Sequence, residues 1–255
     1  MRLIVLASGS SGNAALIESG GRAILLDAGI SAREILRRIA AASALDARVE
    51  AILLTHEHVD HIRGVRVLAR RLGVPIIATA GTLQALTSTL TDVPEMVTIG
   101  RRDELSLAGM RVVSFPTAHD AAESCGYSFE SRRGHRIAVT TDTGIVTAEA
   151  LEALSGAHVI GIEANHDPRM LDAGPYPPFL KRRIAGDTGH LSNEAAARAL
   201  RSVAWKGLSQ VFALHISEQN NTPDTVRGTL SGMLAKHGGA TLETVARGEI
   251  AGCAL

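Results

Sequence analysis

The sequence predicts an α/β fold built from two mixed β-sheets covered by helices. Three observations carry this expectation. Short β-type runs stand at hairpin spacing near the start, at 3–6, 14–17 and 23–26, with Gly and Ser clusters between them. From about residue 32 onward, apolar strand-like runs interleave with helix-period segments, a mixture that suits two covered sheets better than one parallel sheet. No linker, low-complexity tract or convincing repeat divides the chain.

Taken in order, the first three runs are aliphatic and end in turn residues, as strands do. Ser31 is an N-cap for a helix over about 32–42. The unbroken apolar run 51–54 reads as a buried strand, and Thr55 marks the turn out of it. A helix over about 62–72 follows, stopped by Gly73 and Pro75. Further strands are expected at 76–78, 111–115, 126–129, 136–140, 157–162 and 210–214, and helices at 147–154, 193–203 with Ser192 as cap, and 224–237.

With 255 residues and 45% hydrophobic content the chain can bury a large core, and one domain over 1–255 is expected. Only 3% of residues are aromatic, so the interior is expected to be aliphatic. The formal net charge is zero, which excludes a uniformly basic nucleic-acid binder but leaves room for a local basic patch. Two cysteines, Cys125 and Cys253, fit a reducing compartment better than a disulfide framework. The apolar run at the N-terminus is too short for a signal peptide, and no stretch approaches the eighteen or so apolar residues of a membrane span. A cytoplasmic globule away from membranes is expected, with no obligate protein partner to be inferred.

The most informative segment is His56-Glu57-His58-Val59-Asp60-His61, at the mouth of the strand 51–54. Three imidazoles and an aspartate crowded there are costly to desolvate and hard to satisfy except with cations. His56 and His58 project the same way from an extended segment, whereas Asp60 and His61 come off the following turn and can reach a second ion. The zinc-protease pattern His-Glu-x-x-His is not met, because position 60 is Asp. The bland alternative is a solvated, His-rich loop. Downstream, His119, Asp142 and His215 each lie just past an apolar run. Any one of them alone is an ordinary strand-end residue; together with the hexapeptide they complete the roughly three ligands per ion that a two-metal site needs.

A strand, His-x-His-x-Asp-His, then a strand-end His, Asp and His in that order resembles the ligand pattern of the metallo-β-lactamase-fold hydrolases. Six further segments narrow the resemblance to the bacterial YycJ (WalJ) nuclease group. They are Ala7-Ser8-Gly9-Ser10-Ser11-Gly12-Asn13, Leu26-Asp27-Ala28-Gly29, His119-Asp120-Ala121, Glu163-Ala164-Asn165-His166-Asp167, Gly189-His190-Leu191-Ser192-Asn193 and the run from His215 to Asn221. The resemblance implies an αββα sandwich, with His56, His58 and His119 on one ion, Asp60, His61 and His215 on the other, and Asp142 bridging. True β-lactamases of this fold carry a Cys at the bridging step, and flavodiiron oxygen reductases carry a Glu where His58 stands, so antibiotic hydrolysis and redox chemistry are disfavoured. The implied cofactors are two divalent metal ions, Mn²⁺ or Zn²⁺, a donor set of imidazoles and carboxylates suiting either; the group resembled is associated with manganese.

Two ions about 3.5–4 Å apart can activate a hydroxide and neutralise a phosphoryl oxygen in an in-line displacement. Asp60 is a candidate to orient that hydroxide. His190 is the candidate proton donor to the leaving oxygen, because it precedes a Ser192-capped helix and its ring can turn into the site; the alternatives are an additional ligand or an ordinary loop His. Glu163 is a candidate to orient His190. The glycines and hydroxyls of 8–13 make Ser8, Ser10, Ser11 and Asn13 candidates for a phosphate cradle, against a plain turn. Asn165 and Asn220 are candidate substrate contacts. Of three basic groups, Arg63 to Arg71 and Arg132 to Arg136 read as solvated faces, whereas Lys181, Arg182 and Arg183 stand close to His190 and could track a polynucleotide backbone.

The expected function is a metal-dependent phosphodiesterase hydrolysing DNA, a 5′-to-3′ exonuclease on the strength of the resemblance. The alternatives are a small-molecule (cyclic) phosphodiesterase and an RNA-processing nuclease. The stretch between Asp142 and His215 is too short for the inserted domain of the larger ribonucleases of the fold, and no protruding arm like that of tRNA-maturing members is evident. A non-catalytic scaffold is disfavoured because all seven expected ligands are present.

Overall fold

A computed structural model describes residues 1–42, 47–234 and 239–255. In chain order its elements are β1 (Arg2–Ala7), β2 (Ala14–Ser19), β3 (Arg22–Leu26), α1 (Ala32–Ala41), β4 (Arg48–Leu53), α2 (Val59–Ile62), α3 (Val65–Leu72), β5 (Ile76–Ala78), α4 (Ala80–Ala85), β6 (Met96–Thr98), β7 (Glu104–Leu107), β8 (Met110–Pro116), β9 (Cys125–Ser131), β10 (Arg136–Thr140), α5 (Ala148–Leu154), β11 (Val159–Glu163), α6 (Pro168–Ala173), α7 (Pro178–Ala185), α8 (Asn193–Val203), β12 (Gln210–Leu214), α9 (Pro223–Leu234), β13 (Thr241–Thr244) and β14 (Ala251–Ala254).

Among the described residues the strands form two seven-stranded sheets, ordered β14-β1-β2-β3-β4-β5-β6 and β13-β12-β11-β10-β9-β8-β7. Both are mixed. In the first, β14 through β3 pair antiparallel and β3 through β6 parallel; in the second, β7 through β10 pair antiparallel and β10 through β13 parallel. Alternation along each strand explains the layers. Leu3 and Val5 of β1 turn inward to meet Val112, Tyr127, Phe129 and Phe212 of the opposite sheet, while Ile4 and Leu6 turn outward against α1 and α3 residues Ile35, Val65 and Leu68. The outer face of the second sheet is covered by Leu154, Ala196, Leu200 and Val226 of α5, α8 and α9. Burial of both faces is why the central strands read as unbroken apolar runs. The expected sandwich of two mixed sheets flanked by helices is the observed one.

Capping agrees with the sequence: Ser31, Thr147 and Ser192 accept from the backbone N–H three residues on, opening α1, α5 and α8. The single helix expected over 62–72 is instead two, α2 and α3, meeting at Gly64. The Gly64 N–H donates to the Ala28 carbonyl at 2.7 Å, and a Cβ there would lie 2.4 Å from the Ile30 carbonyl oxygen, so the helix breaks where it presses on the loop after β3. β11 begins at Val159 rather than 157, because Ala157 closes the turn from α5 through its N–H to the Leu154 carbonyl. The last three positions of the helix expected over 224–237 lie outside the described residues. The short strands β6, β7, β13 and β14 and the helices α4, α6 and α7 were not legible as periodic segments. α7 buries none of its side chains, so no apolar face announces it. Among the described residues no helix is long and apolar enough to cross a membrane.

Candidate metal centre

β3 and β4 run parallel in one sheet, as do β8, β10, β11 and β12 in the other, and the C-terminal end of each carries or leads into a residue of one cluster. Asp27 follows β3, His56, His58, Asp60 and His61 follow β4, His119 follows β8, Asp142 follows β10, Glu163 ends β11, and His215 follows β12. Six strand ends from both sheets thus deliver side chains that lie up to 188 positions apart in sequence, from Asp27 to His215. Asp27, Asp142 and His215 hold φ of 56°, 51° and 52°, left-handed backbone that costs a non-glycine residue about 1–3 kcal/mol and recurs at sites where direction of a side chain matters.

The structure brings the residues expected as ligands together. Donor atoms of His56, His58 and His119 lie within 4.8 Å of one another, as do those of Asp60, His61 and His215. Asp142 stands between them. Its Oδ2 is 3.2 Å from His61 Nε2, and its Oδ1 is 3.4 Å from His215 Nε2 and 3.9 Å from His119 Nε2. Asp60 Oδ2 is 3.5 Å from His215 Nε2 and 3.6 Å from His61 Nε2.

Hydrogen bonds behind the rings fix their tautomers. The Gly189 carbonyl accepts from His119 Nδ1 at 3.0 Å, leaving Nε2 with a lone pair in the cluster. Asp27 accepts from the Thr55 N–H at 2.9 Å, the Thr55 hydroxyl at 2.9 Å and His61 Nδ1 at 2.7 Å. Its proton thus committed, the Thr55 oxygen lies 3.0 Å from His56 Nδ1 as acceptor, turning the His56 Nε2 lone pair inward. The roles of Asp27 and Thr55 were not drawn from the sequence, although an acid ending one strand beside its parallel neighbour's terminal Thr is a visible signal.

The set suits metal ions on its own chemistry. His56 Nε2 is buried without any hydrogen-bond partner, an orphan that a cation would satisfy. Electrostatics tell the same story. Burial, with the His61 charge next, holds His56 well below the ordinary histidine value. For His61 burial pulls down, but the Asp142 and Asp27 carboxylates carry it well above. His215, desolvated yet facing Asp142 and Asp60, is pushed up to about 9, and Asp142, despite its burial, is held well below the carboxylate range by His215 and His61. Protons therefore occupy places where a divalent ion would neutralise the same carboxylate.

His190 lies beside this cluster, its ring centroid 5.2 Å from that of His119 and 5.1 Å from that of His215. Its Nδ1 donates to Glu163 Oε1 at 2.7 Å, and Glu163 Oε2 accepts the Thr143 N–H at 2.8 Å. Glu163 is fully buried, whereas the His190 side chain is 21% exposed. Burial pulls the His190 pKa down, but the Glu163 charge and hydrogen bond carry it above the ordinary value.

Four expected substrate contacts are corrected by their surroundings. Ser8 is buried and its hydroxyl accepts the His215 N–H at 2.7 Å. Asn13 is buried; its Oδ1 accepts the Gly9 N–H at 2.9 Å and its Nδ2 lies 3.0 Å from His61 Nε2 and 3.3 Å from Asp60 Oδ2. The amide of Asn165 clamps His215 from behind, its Nδ2 lying 2.9 Å from the His215 carbonyl and 3.1 Å from Nδ1. Asn220 is 1% exposed, under the end of α6. These four position the ligands and loops rather than meet solvent. Ser10 and Ser11 remain at the surface of their loop. Lys181, Arg182 and Arg183 lie on α7, which is tied to the site because His190 N–H donates to the Ile184 carbonyl at 2.8 Å. Arg183 pairs with Asp120, beside His119, at 2.6 Å, and Lys181 Nζ donates to the Asp172 carbonyl.

Residues 22–216 match the family described as the beta-lactamase superfamily domain. The exodeoxyribonuclease YycJ of Bacillus anthracis is 37% identical over 92% of this chain and 89% of its own length. The exodeoxyribonuclease WalJ of Streptococcus pneumoniae is 34% identical over 91% and 87%. Among solved structures, the metallo-beta-lactamase fold protein YhfI of Bacillus subtilis superposes with a TM-score of 0.72 at 15% identity, covering 99% of this chain and all of that one.

Proposed function

The chain belongs to the metallo-β-lactamase superfamily of hydrolases, in the group of the YycJ and WalJ exodeoxyribonucleases, and we propose that it is a two-metal phosphodiesterase that degrades DNA from the 5′ end. The observation that carries the two-metal reading is Asp142. From a left-handed backbone its Oδ1 lies between the two imidazole sets, 3.4 Å from His215 Nε2 and 3.9 Å from His119 Nε2, while its Oδ2 is 3.2 Å from His61 Nε2, the placement a bridging ligand needs. His56, His58 and His119 would hold one ion, and Asp60, His61 and His215 the other. Bound there, two divalent ions would supply charge neutralisation at a phosphoryl oxygen and an acidified water as nucleophile.

The remaining work falls to the chain's own side chains. Asp60, partly open to solvent as His58 is, orients the attacking water. His190, held through Nδ1 by Glu163, presents Nε2 toward the leaving oxygen and gives it a proton. Ser10 and Ser11 and the α7 cations Lys181, Arg182 and Arg183 rim the site and meet backbone phosphates. DNA as substrate rests on the names of the relatives, while phosphodiester chemistry rests on the donor set and His190.

The test is product analysis of 5′-phosphorylated duplex DNA incubated with the protein and Mn²⁺, beside an Asp142→Ala control. Mononucleotides released progressively from the 5′ end, and absent in the control, are expected. DNA left intact while a small chromogenic diester is cleaved would transfer the activity to small phosphodiesters.

A further inference from the structure

A cavity of about 490 Å³ opens beside His190, and its walls are unlike those of the metal cluster. Gly144 and His190 form the end that abuts the cluster; Ile145, Val146 and Leu151 line one side, and α8 lines the other through Arg198 and its small neighbours. The volume is within the roughly 300–1,000 Å³ of small-molecule sites. Arg198 makes no ion pair among the described residues and is exposed along the cavity. His166, only 3% exposed, also lines it, and its Nδ1 has no hydrogen-bond partner. An apolar wall, an unpaired guanidinium and an unsatisfied buried imidazole make a place for something flat and apolar that carries both hydroxyls and an anionic group.

We propose that this cavity is the leaving-nucleotide pocket, seating the 5′-terminal nucleotide of a DNA strand with its 5′-phosphate on Arg198. The proposal rests on the exonuclease reading above. Hydrolysis of the first internucleotide diester forms a bond from a water oxygen to phosphorus and breaks the bond from phosphorus to the 3′-oxygen of the terminal nucleotide. His190 gives that 3′-oxygen its proton, and the proton lost by the water restores the imidazolium. The group that departs is therefore the nucleotide on the His190 side, which is where the cavity lies. The products are a 5′-mononucleotide and a strand that again begins with a 5′-phosphate, so one pocket serves every successive cut.

The measurement compares cleavage of otherwise identical duplexes ending in 5′-phosphate or 5′-hydroxyl, as a ratio within each protein, for the wild type, Arg198→Gln and Arg198→Lys. Metal content and thermal midpoint confirm that each variant is folded. The wild type is expected to favour the phosphate end by tenfold or more, Arg198→Gln to bring the ratio close to one, and Arg198→Lys to keep most of it. A wild-type ratio near one, or an Arg198→Gln ratio equal to the wild type's, overturns the pocket while leaving the exonuclease reading intact. Should DNA not be cut at all, that reading fails and the pocket is judged by hydrolysis of bis(p-nitrophenyl) phosphate. Inhibition by deoxyadenosine 5′-monophosphate, tenfold weaker for deoxyadenosine and for Arg198→Gln, upholds it; equal inhibition in either comparison overturns it.

Discussion

At the scale of single residues, the site works through partners that stand behind the groups facing it. Asp27 accepts three hydrogen bonds, two from Thr55 and one from His61, and so fixes which nitrogen of His61, and through Thr55 of His56, looks inward. Asp27→Asn keeps the shape but removes the charge, and metal affinity is expected to fall about 10–100-fold, read by titration with Mn²⁺ or Zn²⁺. His190→Ala is expected to lower diester cleavage by about 10²–10⁴-fold with metal content near normal; loss of one ion by elemental analysis would instead make His190 a ligand. pH enters through His215. Asp142 and Asp60 outweigh its burial and lift it from 6.5 to about 9, so in the metal-free protein it is protonated at neutral pH. A group raised in this way stabilises the metal-free fold fully below 6.5 and ceases to do so as pH rises through about 9. Metal must displace that proton. Apparent metal affinity should therefore climb with pH up to about 9, with proton release at pH 7 seen as a buffer-dependent heat in calorimetry. A heat independent of the buffer would show the site to be already deprotonated.

At the scale of elements, α7 and the loop leading to His190 behave as one unit. The Gly189 carbonyl holds His119, and His190 N–H holds the Ile184 carbonyl. A Cβ on Gly189 would sit 2.1 Å from the Arg183 carbonyl oxygen, a clash with backbone that no rotamer relieves. Gly189→Ala should cost about 1–3 kcal/mol in thermal unfolding and lower turnover more than affinity, because it displaces both histidines. α7 fully buries none of its side chains, so replacing Lys181 and Arg182 by Ala should leave stability within about 0.5 kcal/mol. On DNA the same double change should reduce the slope of log affinity against log salt by about 2. An unchanged slope would remove α7 from the DNA path.

At the scale of the whole molecule, the metal cluster is a seam between two sheets. Loops of both converge on it, so bound ions cross-link strand ends that the core joins only along their inner faces. Stripping metal with a chelator should lower stability by about 2.7 kcal/mol for each ion lost, relative to protein held at a hundredfold excess over the dissociation constant, or about 5–10 °C in midpoint per ion. A midpoint indifferent to chelator would mean that the site adds nothing to folding. The fold itself was legible because both faces of the central strands are buried and unbroken apolar runs survive in the sequence, and the candidate ligands were legible because so many His and Asp gathered at the ends of buried strands are costly to desolvate unless cations satisfy them. By itself, then, the sequence determined the layered sandwich, its capped helices and the seven side chains proposed as metal ligands, since each is written in local spacing and residue chemistry. Only the tertiary structure decided that Ser8, Asn13, Asn165 and Asn220 turn inward, that Asp27 and Thr55 set the tautomers, and that Arg198 and His166 share a cavity with His190. Those relations join residues distant in sequence through hydrogen bonds and burial, and neither leaves a periodic trace in the chain.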